Sequence, residues 1–496
     1  MDHTTFTNAS DLLSQIAVDH EEGYRLLGVF LREYSADNDE VFIVVQKDAE
    51  KKLYTYIQSN QEALPKISDI YYDAFMYQNE IYDFYGKPTK DTDNYTLRLH
   101  LYPDTYFPKR KKWKSMIEHK NPYMFTKVEG EWLTEVQVWP IHAGIIPPGH
   151  FRFMVDGEDT QNLDTKMWRK HRGVEAYFMQ ERNLEKLLEA SQEIAGDSAV
   201  AYAMTFAKLI EQASGVHVWD PEKLTRIILL ELERIYNHLR TLWSLANDVG
   251  QAFILNGFLA VREQFLEMNA RIFWSRVLKH TIRLGGVTHL FSWPEQDVLG
   301  KLFTWVKTRL ENLIALSTQG HENYDRFKDT GIVFADTAAA HWALGVAARA
   351  SSLPLDERIY DAYYTDVAGI QLDVALGEQW DALDRFTVRA RECFTSFGIT
   401  TTCLQKLQQS SVPAWTSSPI PPPSLQDGVF LATTEGHRGQ VLQLMVIEQG
   451  QIVYFKVKDP SFVNRNLLEY AVLNNIIADF PICNKSFDLS YSGFDL

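Results

Sequence analysis

The hydrophobic pattern is clearest between residues 220 and 250, where apolar side chains recur at spacings of three, four and seven. This period predicts an amphipathic helix whose apolar stripe is wide enough to need packing on more than one side. Asp220 is the candidate N-cap, Pro221 suits the first helical position, and Gly250 suits a left-handed C-cap. We therefore predict the central helix of a bundle.

A polar row runs through this apolar helix. Glu231, Arg234 and His238 follow one another at spacings of three and four, and Asn237 stands beside them. Burying such groups is costly unless each finds a partner. The row is therefore either a solvated face carrying an i,i+3 ion pair or a buried and fully paired network, and the sequence leaves both interpretations open.

Patterns elsewhere predict an α+β protein. Two strands, at residues 26–31 and 41–45, indicate a small α+β domain that ends near residue 125. A β-hairpin is predicted next, from strands at residues 132–138 and 151–155 joined by a long loop. A mainly helical region with a small sheet then follows. Helices are expected at residues 181–212 (interrupted at 195–198), 261–284, 294–318, 380–396 and 467–477, a short connection at 255–260, strands at 429–433, 440–447 and 452–457, and a Pro/Ser-rich extended loop at 410–427.

Composition excludes several classes of function. The net charge of −16 over 496 residues argues against general nucleic-acid binding, which needs a basic surface. Three cysteines without a CxxC pair fit a reducing compartment and argue against an Fe–S cluster carried by this chain alone. No signal peptide, long apolar span or glycine-rich dinucleotide fingerprint is visible.

Four motifs in order give the chain a family resemblance. They are Glu-Ile-Tyr-Asp-Phe-Tyr-Gly at residues 80–86, the hairpin loop at 140–151, Lys-His-Arg-Gly-Val-Glu at 170–175 and the helix segment 229–239. Together they resemble the large subunits of group 4 membrane-bound [NiFe] hydrogenases and formate hydrogenlyase, and the related 30- and 49-kDa subunits of complex I in fused form. The resemblance covers nearly the whole chain. It implies a 30-kDa-like domain at 1–125 and a hydrogenase large-subunit-like domain at 126–496.

The resemblance also locates the metal-ligand positions of the hydrogenases. In that family four thiolates from two CxxC pairs hold the Ni–Fe centre, and here the same positions are Ala195, Ser198, Ser461 and Asn464. Soft thiolates suit this metal pair, and methyl, hydroxyl and amide groups do not replace them. We therefore expect no metal bound by this chain and no H2 chemistry.

In complex I the corresponding metal-free cavity receives a quinone headgroup. The resemblance implies that such a cavity would lie among the 142–150 loop, the 195–198 segment and residues 459–465. The expected catalytic residues are His142, Asp197 and Tyr202, and the expected cofactor-binding residues are His150, Asp459 and Arg465. Histidine suits the role because it can give up a proton near neutral pH. An ion pair between Asp197 and Arg465 is expected if the two segments face each other.

A purely structural role stays open for each of His142, His150 and Tyr202. The hairpin loop keeps the hydrogenase form Pro-Ile-His-Ala-Gly-Ile-Ile, whereas complex I has His-Pro-Ala-Ala-His-Gly. A quinone is therefore the candidate ligand, with the true substrate left open.

The first hypothesis is a subunit of a membrane-associated oxidoreductase complex on the cytoplasmic side of the cell membrane. Its partners would be a small Fe–S subunit of the complex I 20-kDa type, which brings the cluster, and ion-translocating membrane subunits. The alternative is an assembly or coupling subunit that has lost redox chemistry, since fold alone does not fix function. An active [NiFe] hydrogenase is the least favoured hypothesis.

Overall fold

The structure is a computed structural model that describes residues 2–91, 125–126, 128–130, 132–141, 147–319, 321–409 and 424–496. Its residues form two compact units. The first unit is Met1–Gly157, Gln161–Lys170 and Ala340–Trp342, and the second is Glu158–Thr160, His171–Ala339 and Ala343–Leu496. Both contain helices and strands, so the predicted α+β class is confirmed. The family-based boundary near residue 125 stays a prediction.

Among its described residues, the first unit holds two sheets, two α-helices and a 3-10 helix at Ile67–Asp69. Its elements are β1 (Asp2–Phe6), α1 (Ala9–Glu21), β2 (Arg25–Glu33), β3 (Asn38–Lys47), β4 (Glu50–Ser59), α2 (Ala74–Tyr85), β5 (Leu133–Val138), β6 (His150–Asp156) and, from Gln161 onward, β7 (Asp159–Lys166). The sheets have the orders β1-β4-β3-β2 and β5-β6-β7, with β1 parallel to β4. The predicted strands match β2 and β3. Strand β4 was not predicted, because it opens with three charged residues before its buried positions begin.

The predicted hairpin is confirmed. Strands β5 and β6 pair antiparallel, and Val138 stands opposite Phe151. Residues 142–146 of the connecting loop lie outside the described residues, and the candidate His142 is among them. His150 is the first residue of β6.

The described part of the second unit is a mainly helical assembly with one three-stranded and one two-stranded sheet. Its elements are α3 (Val174–Gln180), α4 (Leu184–Ser191), α5 (Ala199–Ser214), α6 (Asp220–Asp248), α7 (Ala252–Phe273), β8 (Ile282–Arg283), β9 (Gly286–Val287), α8 (Trp293–Gln319), α9 (His321–Phe327), α10 (Ala335–Ala340), α11 (Gly345–Ala350), α12 (Ala382–Gln409), β10 (Gly428–Gly436), β11 (Gly439–Glu448), β12 (Gln451–Lys458), α13 (Ser461–Ala471), α14 (Phe480–Phe487) and α15 (Tyr491–Phe494). Helix α6 lies against α7 and α12, and α5 lies against β10 and β11. Among the described residues, no helix is long and apolar enough for a membrane span.

Helix α6 is the central helix that the apolar period predicted. Nearly all of its residues from Leu224 to Leu239 are buried, which a helix covered on one side alone would not show. Its start differs by one residue from the prediction. Trp219 is the N-cap, and Asp220 is the first helical residue and pairs with Lys223 at 2.8 Å.

Several predicted boundaries were wrong. The helix expected at 380–396 continues to Gln409. The expected connection at 255–260 is helical, and a Cβ on Gly257 there would strike Leu313 of α8. Helix α7 then ends before Trp274, whose left-handed φ of 55° closes it, so the predicted helix to residue 284 is too long. The expected helix at 467–477 begins earlier, at Ser461, and ends at Ala471.

Candidate functional site

The polar row of α6 is buried. Glu231, Arg234, Asn237 and His238 each have 0% of their surface exposed. The interpretation of this row as a solvated face is therefore wrong. Packing on both sides of α6 removes these groups from water, so each must be satisfied by other side chains.

Glu231 is held by several donors. Arg234 and Arg358 approach its carboxylate at 3.2 and 3.1 Å, and the hydroxyls of Tyr364 and Ser396 donate to it at 2.6 and 2.5 Å. Burial opposes ionisation of Glu231, but the two guanidinium groups outweigh it and keep its pKa below the ordinary value. Glu231 is therefore an ionised carboxylate in the protein interior.

The same arrangement continues around Arg349. Its guanidinium binds Glu392 at 2.7 Å and Glu435 at 2.9 Å, and Asp356 lies 3.3 Å away. His238 binds the other oxygen of Glu392 at 2.8 Å. We call this set the central network; its members are Glu231, Arg234, His238, Arg349, Asp356, Arg358, Glu392 and Glu435. Removing one partner from such a network would leave an uncompensated buried charge.

Helix α6 also fixes the segment that contains Asp197. The amide of Asn237 donates to the carbonyl oxygen of Asp197 at 2.6 Å. The carboxylate of Glu233 accepts the backbone N–H groups of Val200 and Ala201, at 2.7 and 3.0 Å, in the first turn of α5. Glu233 and Asn237, which lie one turn apart on α6, thus hold both Asp197 and the first turn of α5.

Asp197 makes ion pairs with Arg438 and Arg240, and the expected pairing with Arg465 is wrong. Arg438 donates to both oxygens of Asp197 at 2.8 and 2.6 Å, and Arg240 lies 3.1 Å away. Burial opposes ionisation of Asp197, but Arg438 and Arg240 outweigh it and lower its pKa. Arg465 lies buried on α13, and its predicted role in cofactor binding stays a prediction.

Asp488 shares these arginines. It binds Arg240 at 2.7 Å and lies 3.6 Å from Arg438, whose Nε–H also donates to the Asp488 backbone oxygen. We call Asp197, Arg240, Arg438 and Asp488 the acid–arginine cluster. The Asp197 side chain is 31% exposed, so the cluster begins near solvent and continues inward.

The structure brings Tyr202 and Asp459 together, and their expected catalytic and cofactor-binding roles stay predictions. The Tyr202 hydroxyl donates to one oxygen of Asp459, and the Ser461 backbone N–H donates to the other at 2.6 Å. Burial raises the pKa of Tyr202 well above its ordinary value and also raises that of Asp459. The pair is a buried donor and acceptor within reach of the Arg438 charge.

The four positions of the hydrogenase thiolates carry other chemistry. Ala195 is buried, and the Ser198 hydroxyl accepts from Arg438 at 3.3 Å. The Ser461 hydroxyl accepts the backbone N–H of Ser490 at 2.9 Å. The Asn464 amide holds both backbone groups of Leu344, at 2.9 and 3.0 Å. This donor set does not fit a thiolate-bound metal pair.

The three cysteines belong to the helical core. Cys393 and Cys403 lie on α12, and Cys483 lies on α14; all three are buried and free. Burial raises the pKa of Cys403 and of Cys483 to about 12, and that of Cys393 further. Thiols with such pKa values stay protonated at neutral pH and are poor metal ligands.

Two glycines allow Arg438 to reach its position. Gly345 has a φ of 61°, and a Cβ there would collide with the Arg438 carbonyl oxygen. A Cβ on Gly439 would lie 2.8 Å from the Gly345 nitrogen. Because neither residue has a side chain, the loop that Asn464 holds can lie directly on the β10–β11 turn.

His150 lies in the first unit and is described there by itself. Its ring lies between Phe125 and Trp139, with ring centres 5.2 Å away on each side. Burial lowers the pKa of His150, and its buried Nε2 has no hydrogen-bond partner in the described part of the chain. These contacts fit a structural histidine as well as a ligand-binding one, so its role and that of His142 remain predictions.

Sequence reasoning missed three members of the acid–arginine cluster. Arg240 lies on α6, Arg438 in the β10–β11 turn and Asp488 directly after α14, and none belongs to a motif that stood out. The turn Gly436-His437-Arg438-Gly439 was the available signal, because two glycines around an arginine indicate a tight turn that presents it.

Comparisons with known proteins agree with the sequence motifs. The model of the 49-kDa subunit of respiratory-chain NADH dehydrogenase matches residues 248–427. The carbon monoxide-induced hydrogenase of Rhodospirillum rubrum is 25% identical over 355 residues, which cover 71% of this chain and 96% of that protein. Formate hydrogenlyase subunit 5 of Escherichia coli is 24% identical over 453 residues, or 88% of this chain and 78% of that protein.

A fused protein of the respiratory type is also similar. The C/D subunit of NADH-quinone oxidoreductase from Sulfurihydrogenibium is 23% identical over 407 residues, covering 75% of this chain and 70% of that protein. The motifs had predicted this relationship, and the comparisons confirm it. The chain is therefore similar to large subunits of membrane-bound hydrogenases and to the fused C/D subunit of NADH-quinone oxidoreductase.

Proposed function

We propose that this chain is the large subunit of a membrane-associated oxidoreductase complex and works without a Ni–Fe centre of its own. One observation carries the proposal. The positions that hold thiolates in [NiFe] hydrogenases are Ala195, Ser198, Ser461 and Asn464, and the three polar side chains form hydrogen bonds within the protein. A site built on such bonds serves binding and proton transfer better than metal ligation.

The chemistry left to the site is the handling of protons and of a polar ligand. Asp197 is partly exposed beside two guanidinium groups, while Tyr202 and Asp459 form a buried hydrogen-bonded pair. A quinone headgroup is the ligand class we propose, because its carbonyl oxygens need donors such as the Tyr202 hydroxyl or a histidine at position 142. His150, Asp459 and Arg465 stay the proposed binding residues.

Electrons would come from a partner. The described cysteines are buried, protonated and dispersed, so we propose that a small Fe–S subunit of the complex I 20-kDa type brings the cluster. One relative is by name a subunit of a membrane-bound hydrogenase, which supports a peripheral position at the membrane. We propose that this position is on the cytoplasmic face. Ion-translocating membrane subunits complete the proposed complex.

A second candidate function has an observation of its own. Asp197, Arg438, Arg240 and Asp488 neutralise one another, and Tyr202 is occupied by Asp459. A site whose groups are already paired is also what an assembly platform without redox chemistry would contain. The two candidates differ in whether the site residues are needed for electron transfer or for folding alone.

The test uses the complex purified from native membranes. Elemental analysis should find iron in cluster amounts without nickel, and stoichiometric nickel would overturn the proposal. Asp197→Asn and His142→Gln should then abolish quinone reduction while the complex still assembles. The matched control is Asp220→Asn, an exposed carboxylate paired with Lys223, which should leave turnover unchanged. Full activity in both site variants, or no cluster iron at all, would favour the platform.

A further inference from the structure

A group of buried polar atoms in the second unit has no hydrogen-bond partner within the described residues. The atoms are Nδ1 of His238 on α6, both ring nitrogens of His437, and Nε of Arg389 on α12. The three side chains are at most 2% exposed. Buried polar groups in folded proteins nearly always have partners, so several orphans from three elements need an explanation.

These side chains are neighbours. The rings of His238 and His437 have centres 6.3 Å apart and planes at 79°. Glu392 of α12 binds His238 at 2.8 Å, and Arg389 stands three positions before Glu392 on the same helix, so both lie on the face of α12 turned toward His238. Burial lowers the pKa of His238, and the charge of Arg389 adds to this effect. Helices α6 and α12 lie against each other along their length, and His437 reaches them from the β10–β11 turn.

Each histidine belongs to a different ionic group. Nε2 of His238 binds Glu392 of the central network at 2.8 Å, so Nδ1 is the atom left over. Nε2 of His437 lies 3.5 Å from Asp488 of the acid–arginine cluster, which is too long for a hydrogen bond. The two rings therefore stand between the central network and the acid–arginine cluster.

The separation suits one intervening molecule. A water that binds two nitrogens at about 2.8 Å each can span about 5–6 Å between them. Two rings with centres 6.3 Å apart can each direct a nitrogen at one water that lies off the line between the ring centres. Arg389 supplies an N–H donor, and each imidazole supplies a donor or an acceptor, which gives the two to four partners that buried waters have.

We propose that an ordered internal water molecule binds His238, His437 and Arg389 and joins the central network to the acid–arginine cluster. Water fits better than an anion, because the carboxylates of Asp488 and Glu392 already act on Arg389. Hydrogen bonds then run from Glu392 through His238 and the water to His437, whose ring lies 3.5 Å from Asp488. This inference concerns the fold and does not rest on the proposed quinone site.

The test is a structure of the full chain, with its partners as purified, at a resolution that shows ordered water. A peak should lie about 2.7–3.2 Å from Nδ1 of His238 and from Arg389 or His437. His437→Phe should lose this peak. The control His289→Phe should keep it, because His289 is bound to Glu295 at 3.0 Å in a partly exposed place.

Three results would overturn the proposal. They are an empty position in the wild-type map, direct contacts of these atoms with other protein atoms, and an anomalous signal after bromide soaking, which would identify an anion. If His437→Phe does not fold, His437→Gln keeps a donor and an acceptor and should retain the peak. The wild-type map then decides the question without the variant.

Discussion

At single residues, the feature that governs this protein is the burial of charge. Arg234 and Arg349 have no exposed surface, yet each lies within 4 Å of a carboxylate. An arginine can be buried in this way because its guanidinium presents five donors in a planar fork, which several acceptors can share. We therefore expect buried charged residues, as well as buried apolar ones, to determine the stability of this protein.

Tyr202→Phe should destabilise the second unit. The change removes a donor from Asp459 and leaves one oxygen of a buried carboxylate without that bond, so we expect a loss of about 1–3 kcal/mol in the free energy of unfolding. Denaturant titration measures it. In the control Tyr72→Phe, on a side chain that is 54% exposed, the change should stay within about 0.5 kcal/mol. Equal losses in the two variants would contradict the role of this bond.

Acid should destabilise the protein through two buried histidines. Burial lowers the pKa of His238 to about 4 and that of His437 to about 3. As the pH falls below the unfolded value of about 6.5, the unfolded chain takes up protons that the folded chain refuses, so stability is lost on the acid side.

The size of this effect can be measured between pH 7 and pH 5. Each histidine should contribute about 2 kcal/mol of the loss over that interval. His437→Gln should remove the contribution of one histidine to this loss of stability. The unfolding midpoint of the variant should therefore fall less steeply with acidification than that of the wild type. Parallel pH profiles for the two proteins would show that His437 titrates alike in both states.

At the level of elements, Asn464 connects α13 to the loop before α11. Asn464→Ala should cost about 2–4 kcal/mol, because the N–H and C=O groups of Leu344 both lose their buried partner. Hydrogen exchange at the Leu344 amide should become faster. The control Asn256→Ala removes an exposed side chain that binds its own helix and should be close to neutral. An unchanged exchange rate would contradict the role of Asn464 in holding the Leu344 backbone.

The sequence predicted those helices and strands whose hydrophobic pattern is contained in one short stretch of the chain. The apolar period of α6 and the alternation of β2 and β3 identify themselves within a dozen residues. The arginine side of the site could not be found this way, since Arg438 and Asp197 are 241 positions apart and meet only through the tertiary fold. For the same reason the partner of Asp197 was wrongly expected to be Arg465. Tyr202 and Asp459 are hydrogen-bonded to each other, and their roles in a common site stay predictions.

At the scale of the whole molecule, each compact unit has its own buried ionic anchor. Glu392 joins Arg349 and His238 in the second unit, and Asp19 receives Lys52 and the Tyr54 hydroxyl in the first. We expect Glu392→Gln to destabilise the second unit and Asp19→Asn the first, each by about 3–5 kcal/mol of unfolding free energy.

Thermal unfolding followed by a fluorescence reporter in each unit can separate the two effects. Trp168 and Trp243 lie in different units and can serve as the probes. If both substitutions shift both probes by the same amount, the protein unfolds as one cooperative body and the division into units has no thermodynamic meaning.

The meeting of Gly345 and Gly439 has a consequence for how this protein can evolve. A side chain on either glycine would strike the backbone of the other segment. A substitution at one position therefore does not make the other position tolerant of a side chain. Descendants of this chain can alter the region only by moving a whole loop, through insertion or deletion. In a deep mutational scan, the two positions should appear as a pair that rejects every alternative, although neither touches a ligand.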